Sequence, residues 1–132
     1  MRLRSGEFDM IESTFRMLDD EDREFADILR SLGMQRNTAI LITYLAIAGE
    51  ATSREIKLGA GLRQPEVSIA MRDLRGKNWV GEREVKTGGK GRPSLVYTLT
   101  TAIDEIIKHL EDEKLREHAE IMENIRKLKE LA

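Results

Sequence analysis

Apolar side chains recur along this chain in several distinct rhythms, and each rhythm predicts an element. Phe8, Ile11, Phe15 and Leu18 step by three, four and three residues, the spacing of one helix face. The next segment, DDEDREFADILRSLGM, opens on the acids Asp19 to Asp22. Those suit a helix N-terminus, where the macrodipole favours negative charge. Phe25, Ile28, Leu29 and Leu32 make its apolar face, and Gly33 is placed as the left-handed residue that stops it. Asn37 is positioned to cap a third helix, TAILITYLAIAG. This helix is apolar nearly all round, through Ile40, Leu41, Ile42, Leu45 and Ile47. It is too short to span a bilayer, so it reads as the buried centre of a domain, ended by Gly49.

Thr52-Ser53-Arg54-Glu55 has the form of a capping box, a hydroxyl at the N-cap and a glutamate three residues on. A short helix follows with Ile56 inward, and the two glycines of LGAGL break it. RQPEVSIAMRDLRGKNW then restarts a helix. Pro65 suits its first position, where the missing N–H has no cost, and Val67, Met71 and Leu74 form the inward face. Gly76 or Asn78 closes it. Two alternating runs, NWVGEREVK and SLVYTL, flank TGGKGRP and predict a hairpin with a basic, glycine-rich tip. A short helix, a glycine turn and a second helix form a helix-turn-helix, and with the hairpin the order is that of a winged helix.

From Thr100 to Ala132 there is no glycine or proline. Ile107, Leu110, Lys114, His118, Ile121, Ile125, Leu128 and Ala132 step by three or four, with Ile103 leading into the stripe. A helix of about 30 residues rises about 45 Å, too long to pack wholly on a domain this small. The stripe therefore predicts a partner helix, most economically a second copy. Ile103, Ile107, Leu110, His118, Ile121, Ile125 and Leu128 are the expected dimer contacts. His118 would charge such a seam near pH 6 if buried; a partly exposed histidine that the seam tolerates is the plainer reading. The expected fold is mainly α with a small β-hairpin wing. Residues 1–36 form N-terminal helices for dimer or core packing, 37–100 the winged-helix domain and 101–132 a coiled-coil-like dimerisation helix. Phe8, Met10, Phe15 and Met17 could instead line a ligand pocket, although core packing is the commoner use of such residues.

Composition narrows the function. The 132 residues include no cysteine, which excludes disulfides, thiolate metal sites and a cysteine nucleophile. No apolar run is long enough for a membrane span, and MRLRSGEFDM lacks the apolar core of a secretory signal, so a cytoplasmic protein is expected. The net charge of −2 hides a division. Thr52 to Pro93 holds ten basic and five acidic residues, a balance of +5; the other twelve basic and nineteen acidic residues carry −7. A basic middle between acidic flanks points to a polyanion-facing surface. The second helix of a helix-turn-helix enters the major groove, here over about residues 64–76. Gln64, Ser68, Ile69 and Arg72 face outward there, with Arg63 just ahead and Pro65 in the first turn. Glutamine pairs with adenine, arginine with guanine, and Ile69 can touch a thymine methyl. Arg75 and Lys77 are placed for phosphate, as are Thr52, Ser53 and Arg54 at a helix N-terminus. Lys90, Gly91 and Arg92, in a wing over about 86–94, suit the backbone or a narrow minor groove.

From about Asn37 to Leu99 the chain resembles the winged-helix DNA-binding domains of prokaryotic transcription regulators of the ArsR, MarR and archaeal TrmB-like kind. RQPEVSIAMRDLRGKNWV is similar to their recognition helix running into the first wing strand. GGKGRPSLVYTLT is similar to their wing, where Gly-Arg-Pro and a following aromatic are common. The resemblance implies a homodimer on palindromic operators in double-stranded DNA. Many ArsR members sense metals, but Asp104, His109, Glu113 and His118 do not reproduce that ligand spacing, so neither metal nor cofactor is expected. An enzyme is not expected either, since the two histidines and the absence of a phosphate loop leave no catalytic constellation. The alternative is a winged-helix adaptor for protein partners, which would not need a basic motif face.

Overall fold

Asp19 and Asp22 cap the first helix reciprocally: each carboxylate accepts the other residue's backbone N–H, at 2.8 and 3.0 Å. The computed structural model describes residues 17–86 and 94–132. The stripe expected from Phe8 to Phe15, and the tip residues Lys90, Gly91 and Arg92, lie outside the described residues. Helix α1 spans Asp20–Ser31, and Gly33 follows it at φ 106°, as its stop position required. Its buried face differs from the expected one. Asp22, Ala26 and Leu29 are buried, whereas Ile28 is 53% exposed, Leu32 is exposed and Phe25 is only half-buried. Ala26 lets α1 lie close to the next helix, and that approach sets the rotation in place of side-chain size.

Helix α2, Arg36–Ala48, starts earlier than the Asn37 cap implied, with Gln35 at the N-cap. Asn37 sits in the first turn and accepts a 3.0 Å hydrogen bond from the Arg36 guanidinium. The earlier start places buried Thr38 where its hydroxyl donates to Asp73, 3.2 Å away. Ile40, Leu41, Ile42, Leu45 and Ile47 are all buried, and Gly49 ends the helix at φ 86°. A strand that the apolar rhythm did not announce follows: β1, Glu50–Thr52.

Thr52 then caps helix α3, Ser53–Ala60, through the capping box the sequence implied. The Thr52 hydroxyl accepts from Glu55 N–H at 3.1 Å and Glu55 Oε1 accepts from Thr52 N–H at 2.8 Å. Of the two glycines expected to break this helix, Gly59 lies inside it, buried, and its carbonyl accepts the N–H of Leu18 at 3.1 Å. Only Gly61, left-handed at φ 72°, makes the turn. Helix α4 is Gln64–Gly76, so Pro65 takes the second helical position and not the first. That position is as permissive, because first-turn N–H groups have no partner inside the helix. Lys77 is the C-cap, and Asn78 at φ 62° turns the chain out.

Strands β2, Val80–Val85, and β3, Ser94–Leu99, pair antiparallel, and β1 joins the other edge of β3 to give the order β1-β3-β2. Tyr97 stands opposite Ala51 on one side and Glu82 on the other, on the face where Ala51, Val80 and Tyr97 are buried. On the opposite face Arg83 reaches across β3 to Glu50 at 2.9 Å. The core centres on α2, whose Leu41, Ile42 and Leu45 are fully enclosed, with Ile56 of α3 and Val67, Met71 and Leu74 of α4 around it. The architecture is mainly helical with a small three-stranded antiparallel sheet.

The chain divides into two compact units, one ending at Thr101 and the other Ala102–Ala132. The second is the long helix α5, Ile103–Leu131. Ile103, Ile106 and Leu110 are buried, and Ile106 was not on the expected stripe. Ile107, His118, Ile121, Ile125 and Leu128 are exposed. Among the described residues no helix is long and apolar enough to cross a membrane.

Candidate nucleic-acid interface

Two faces of α4 divide the labour. Val67, Ala70, Met71 and Leu74 are buried and fix the helix on the core. Opposite them, Gln64, Pro65, Ser68, Ile69, Arg72 and Arg75 are exposed. Gln64, Ser68 and Arg72 are four residues apart and form one row along the solvent side, as i, i+4 neighbours on a helix must. Ile69, 56% exposed, stands beside that row.

The start of the row is anchored. Ser53 Oγ donates to Gln64 Oε1 at 2.7 Å, and Gln64 Nε2 lies 3.4 Å from Ser68 Oγ. The side chain of Gln64 thus links the first turns of α3 and α4, and its amide plane is held before any ligand arrives. Arg63, at the N-cap of α4, has an 82% exposed side chain. Its backbone N–H donates to Glu66 Oε1 at 2.8 Å, and its guanidinium lies 3.4 Å from Glu66 Oε2. The backbone hydrogen bond from Arg63 foremost, then its side chain, holds the Glu66 carboxyl below the usual carboxylate range. Arg36, at the start of α2, adds positive potential at the same carboxylate. It escaped the sequence reading because it lies outside the basic stretch; its place at the first helical position was the only signal.

The basic residues differ in how committed they are. Arg75 pairs with Glu82 on β2, and Lys77 pairs with Asp73 at 3.3 Å while lying 5.8 Å above the Trp79 ring. Arg83 is taken by Glu50. Arg54, Lys57, Arg72 and Lys86 make no ion pair among the described residues. The structure therefore brings Arg63, Gln64, Ser68, Ile69 and Arg72 onto one face, and leaves Arg75 and Lys77 beside it with local acidic partners. Such exposed pairs contribute about 0–1 kcal/mol each and yield readily to a phosphate.

A cleft of about 610 Å³ lies between the N-terminal turn of α3 and the start of β3, lined by Thr52, Ser53, Arg54, Glu55, Lys57, Leu58, Ser94 and Leu95. Thr52 and Ser53 line it with their hydroxyls already used, one in the cap and one on Gln64. Its cations are Arg54 and Lys57, with Glu55 opposing them. Lys57, Leu58, Ser94 and Leu95 were not among the expected site residues; Lys57, three residues after Arg54 on a capped helix, is the one the spacing could have supplied. Tyr97, buried on β3 opposite Glu82, has its phenol raised above the ordinary value by burial foremost, with Glu82 adding and Arg75 opposing.

No protein-family model matches the chain, and no curated protein matches it.

Proposed function

We propose that residues 37–100 form a winged-helix domain that binds double-stranded DNA with α4 in the major groove. The whole chain, on this reading, is a homodimeric transcriptional regulator. The observation that carries it is the exposed row Gln64–Ser68–Arg72, with Arg63 at its head and Gln64 held by Ser53. These are base-reading side chains on the outward face of the second helix of a helix-turn-helix, at the end that approaches base edges. The small antiparallel sheet supports the reading, because β2 and β3 follow the helix pair in the chain and pack against it. Arg54 and Lys57 at the start of α3 then serve phosphate, as do Arg75 and Lys77 once they release Glu82 and Asp73. The free stripe of α5 supplies the dimer contact.

The test is a salt titration of binding to mixed genomic fragments, with Arg63→Ala/Arg72→Ala beside the native protein. A dimer that neutralises about eight phosphates loses affinity with a log–log slope near −0.9 per phosphate. The variant is expected to bind more weakly by about 1–3 kcal/mol per lost arginine–guanine contact and to retain fragments of relaxed sequence. Absence of binding at low salt by the native protein would reject DNA and turn attention to a protein partner for the same face.

A further inference from the structure

The exposed face of α4 lies between two other helix starts. On one flank Gln64 is met by Ser53, in the first turn of α3. Glu66 and Asp73 share the other flank, about half a turn round from Gln64 at about 100° per residue. There Thr38, buried in the first turn of α2, donates to Asp73 at 3.2 Å, so the start of α2 runs along that side. The two flanks differ in charge. The α3 flank carries Arg54 and Lys57, neither in an ion pair among the described residues. The α2 flank shows two acids, each met by one cation of α4 or its cap: Glu66 by Arg63 at 3.4 Å and Asp73 by Lys77 at 3.3 Å. Arg36 adds a third cation there. It is exposed at the first position of α2, whose first turn holds no acid, and its guanidinium donates to the neighbouring Asn37 at 3.0 Å. Arg36 makes no ion pair among the described residues. The Arg63 backbone N–H is the foremost cause that holds the Glu66 carboxyl below the usual range, and the charge of Arg36 reaches the same carboxyl from α2.

We propose that the DNA face of the chain extends onto α2, where Arg36 takes a backbone phosphate on the side of the groove away from α3. This rests on the DNA-binding reading above and gives that site a further residue. A major groove about 12 Å wide holds a helix about 10–12 Å across, with a phosphate chain along each side. Arg54 and Lys57 meet one chain. Without Arg36 the α2 flank would bring to the other chain two acids balanced by two cations, with no net attraction. With it, Arg36, Arg63 and Lys77 stand against Glu66 and Asp73, and the flank is positive. The guanidinium fork matches phosphate oxygens, and a charge-assisted bond to phosphate is stronger than the exposed bond to Asn37 that it replaces. Phosphate contacts fix position on the duplex and carry no base information. Arg36 therefore contributes affinity and register, and leaves sequence choice to the exposed row of α4.

The test titrates salt against binding of the full chain to mixed genomic fragments. Arg36→Ala and Arg36→Lys stand beside the native protein, with Arg30→Ala as the control for loss of one positive charge. Arg30 is equally exposed, in the last turn of α1. Each lost phosphate contact takes about 0.9 from the log–log slope. Arg36→Ala is expected to be shallower by about 0.9 per bound copy, to retain the same fragments and to keep the native urea midpoint. Arg36→Lys and Arg30→Ala are expected to keep the native slope. An unchanged slope in Arg36→Ala would overturn the proposal. An equal fall in Arg30→Ala would overturn it too, because the effect would then be one of net charge. A shift in the fragments retained by Arg36→Ala would overturn it by giving Arg36 a part in base reading. These three results leave the DNA-binding reading standing. Absence of binding by the native protein at low salt would overturn that reading and the proposal together.

Discussion

On the proposed DNA-binding reading the exposed face of α4 depends on Gln64, whose orientation is set from another helix. The Ser53 hydroxyl at 2.7 Å holds the Gln64 carbonyl oxygen. Ser53→Ala should therefore leave stability within about 0.5 kcal/mol, as for most surface changes, while reducing discrimination between preferred and random fragments in a competition assay. Thr52→Ala, one residue away, should behave in reverse: loss of the cap on α3 lowers stability by about 1 kcal/mol, read as a lower denaturant midpoint. Acid should act on the start of α4. The Glu66 carboxyl is depressed because its charged form accepts the Arg63 N–H. The stabilisation is thus complete above the ordinary carboxylate value and is lost as pH falls through the depressed one. The Arg63 amide resonance should shift through that lower range, and Glu66→Gln should abolish the shift. The Thr52–Glu55 box was legible in the sequence because it is local, a matter of types three residues apart. The Ser53–Gln64 bond was not, since eleven residues and a turn separate the partners. Nor could charge counting show that Arg75 finds Glu82 across the α4–β2 turn.

At the scale of elements, the rhythm of apolar residues located every described helix and both strands of the hairpin, and it erred where packing depends on small residues. In α1 the large side chains suggested a face through Phe25, Ile28, Leu29 and Leu32; the face that packs is built on Ala26 and Leu29. Hydrophobicity ranks Ile28 above Ala26, but the close approach of α1 to α2 reverses their importance. Ala26→Leu should destabilise by about 1–3 kcal/mol through overpacking, whereas Ile28→Ala should change stability by no more than about 0.5 kcal/mol. Paired urea denaturation curves decide the ranking, and equal costs would refute the observed helix rotation. Strand β1 escaped for a different reason. Glu50-Ala51-Thr52 has no alternation of its own and is extended because Val96, Tyr97 and Thr98 offer it a free edge of β3. Its identity as a strand lies in its partner, which no local window contains.

For the whole molecule, the basic stretch and the long helix fall in different units of the chain. The basic stretch, +5 from Thr52 to Pro93, belongs to the unit that ends at Thr101, and α5 makes up the other unit. If DNA binding and self-association are separate tasks of these units, they are coupled only through the number of binding faces a particle carries. A protein with two linked faces gains avidity from the second without any new contact, and each face contributes its own released counterions. Ile121→Lys/Ile125→Lys puts four charges into a paired seam and should give a monomer by sedimentation with the melting of the first unit unchanged. Its DNA affinity should fall and its salt slope should halve, from about −7 for a dimer on eight phosphates to about −3.5. A monomeric variant that keeps the full slope would mean that one copy makes all the phosphate contacts, and the palindromic operator implied by the family resemblance would have to be abandoned. A variant that remains dimeric would locate the partner surface away from α5, whatever its DNA binding.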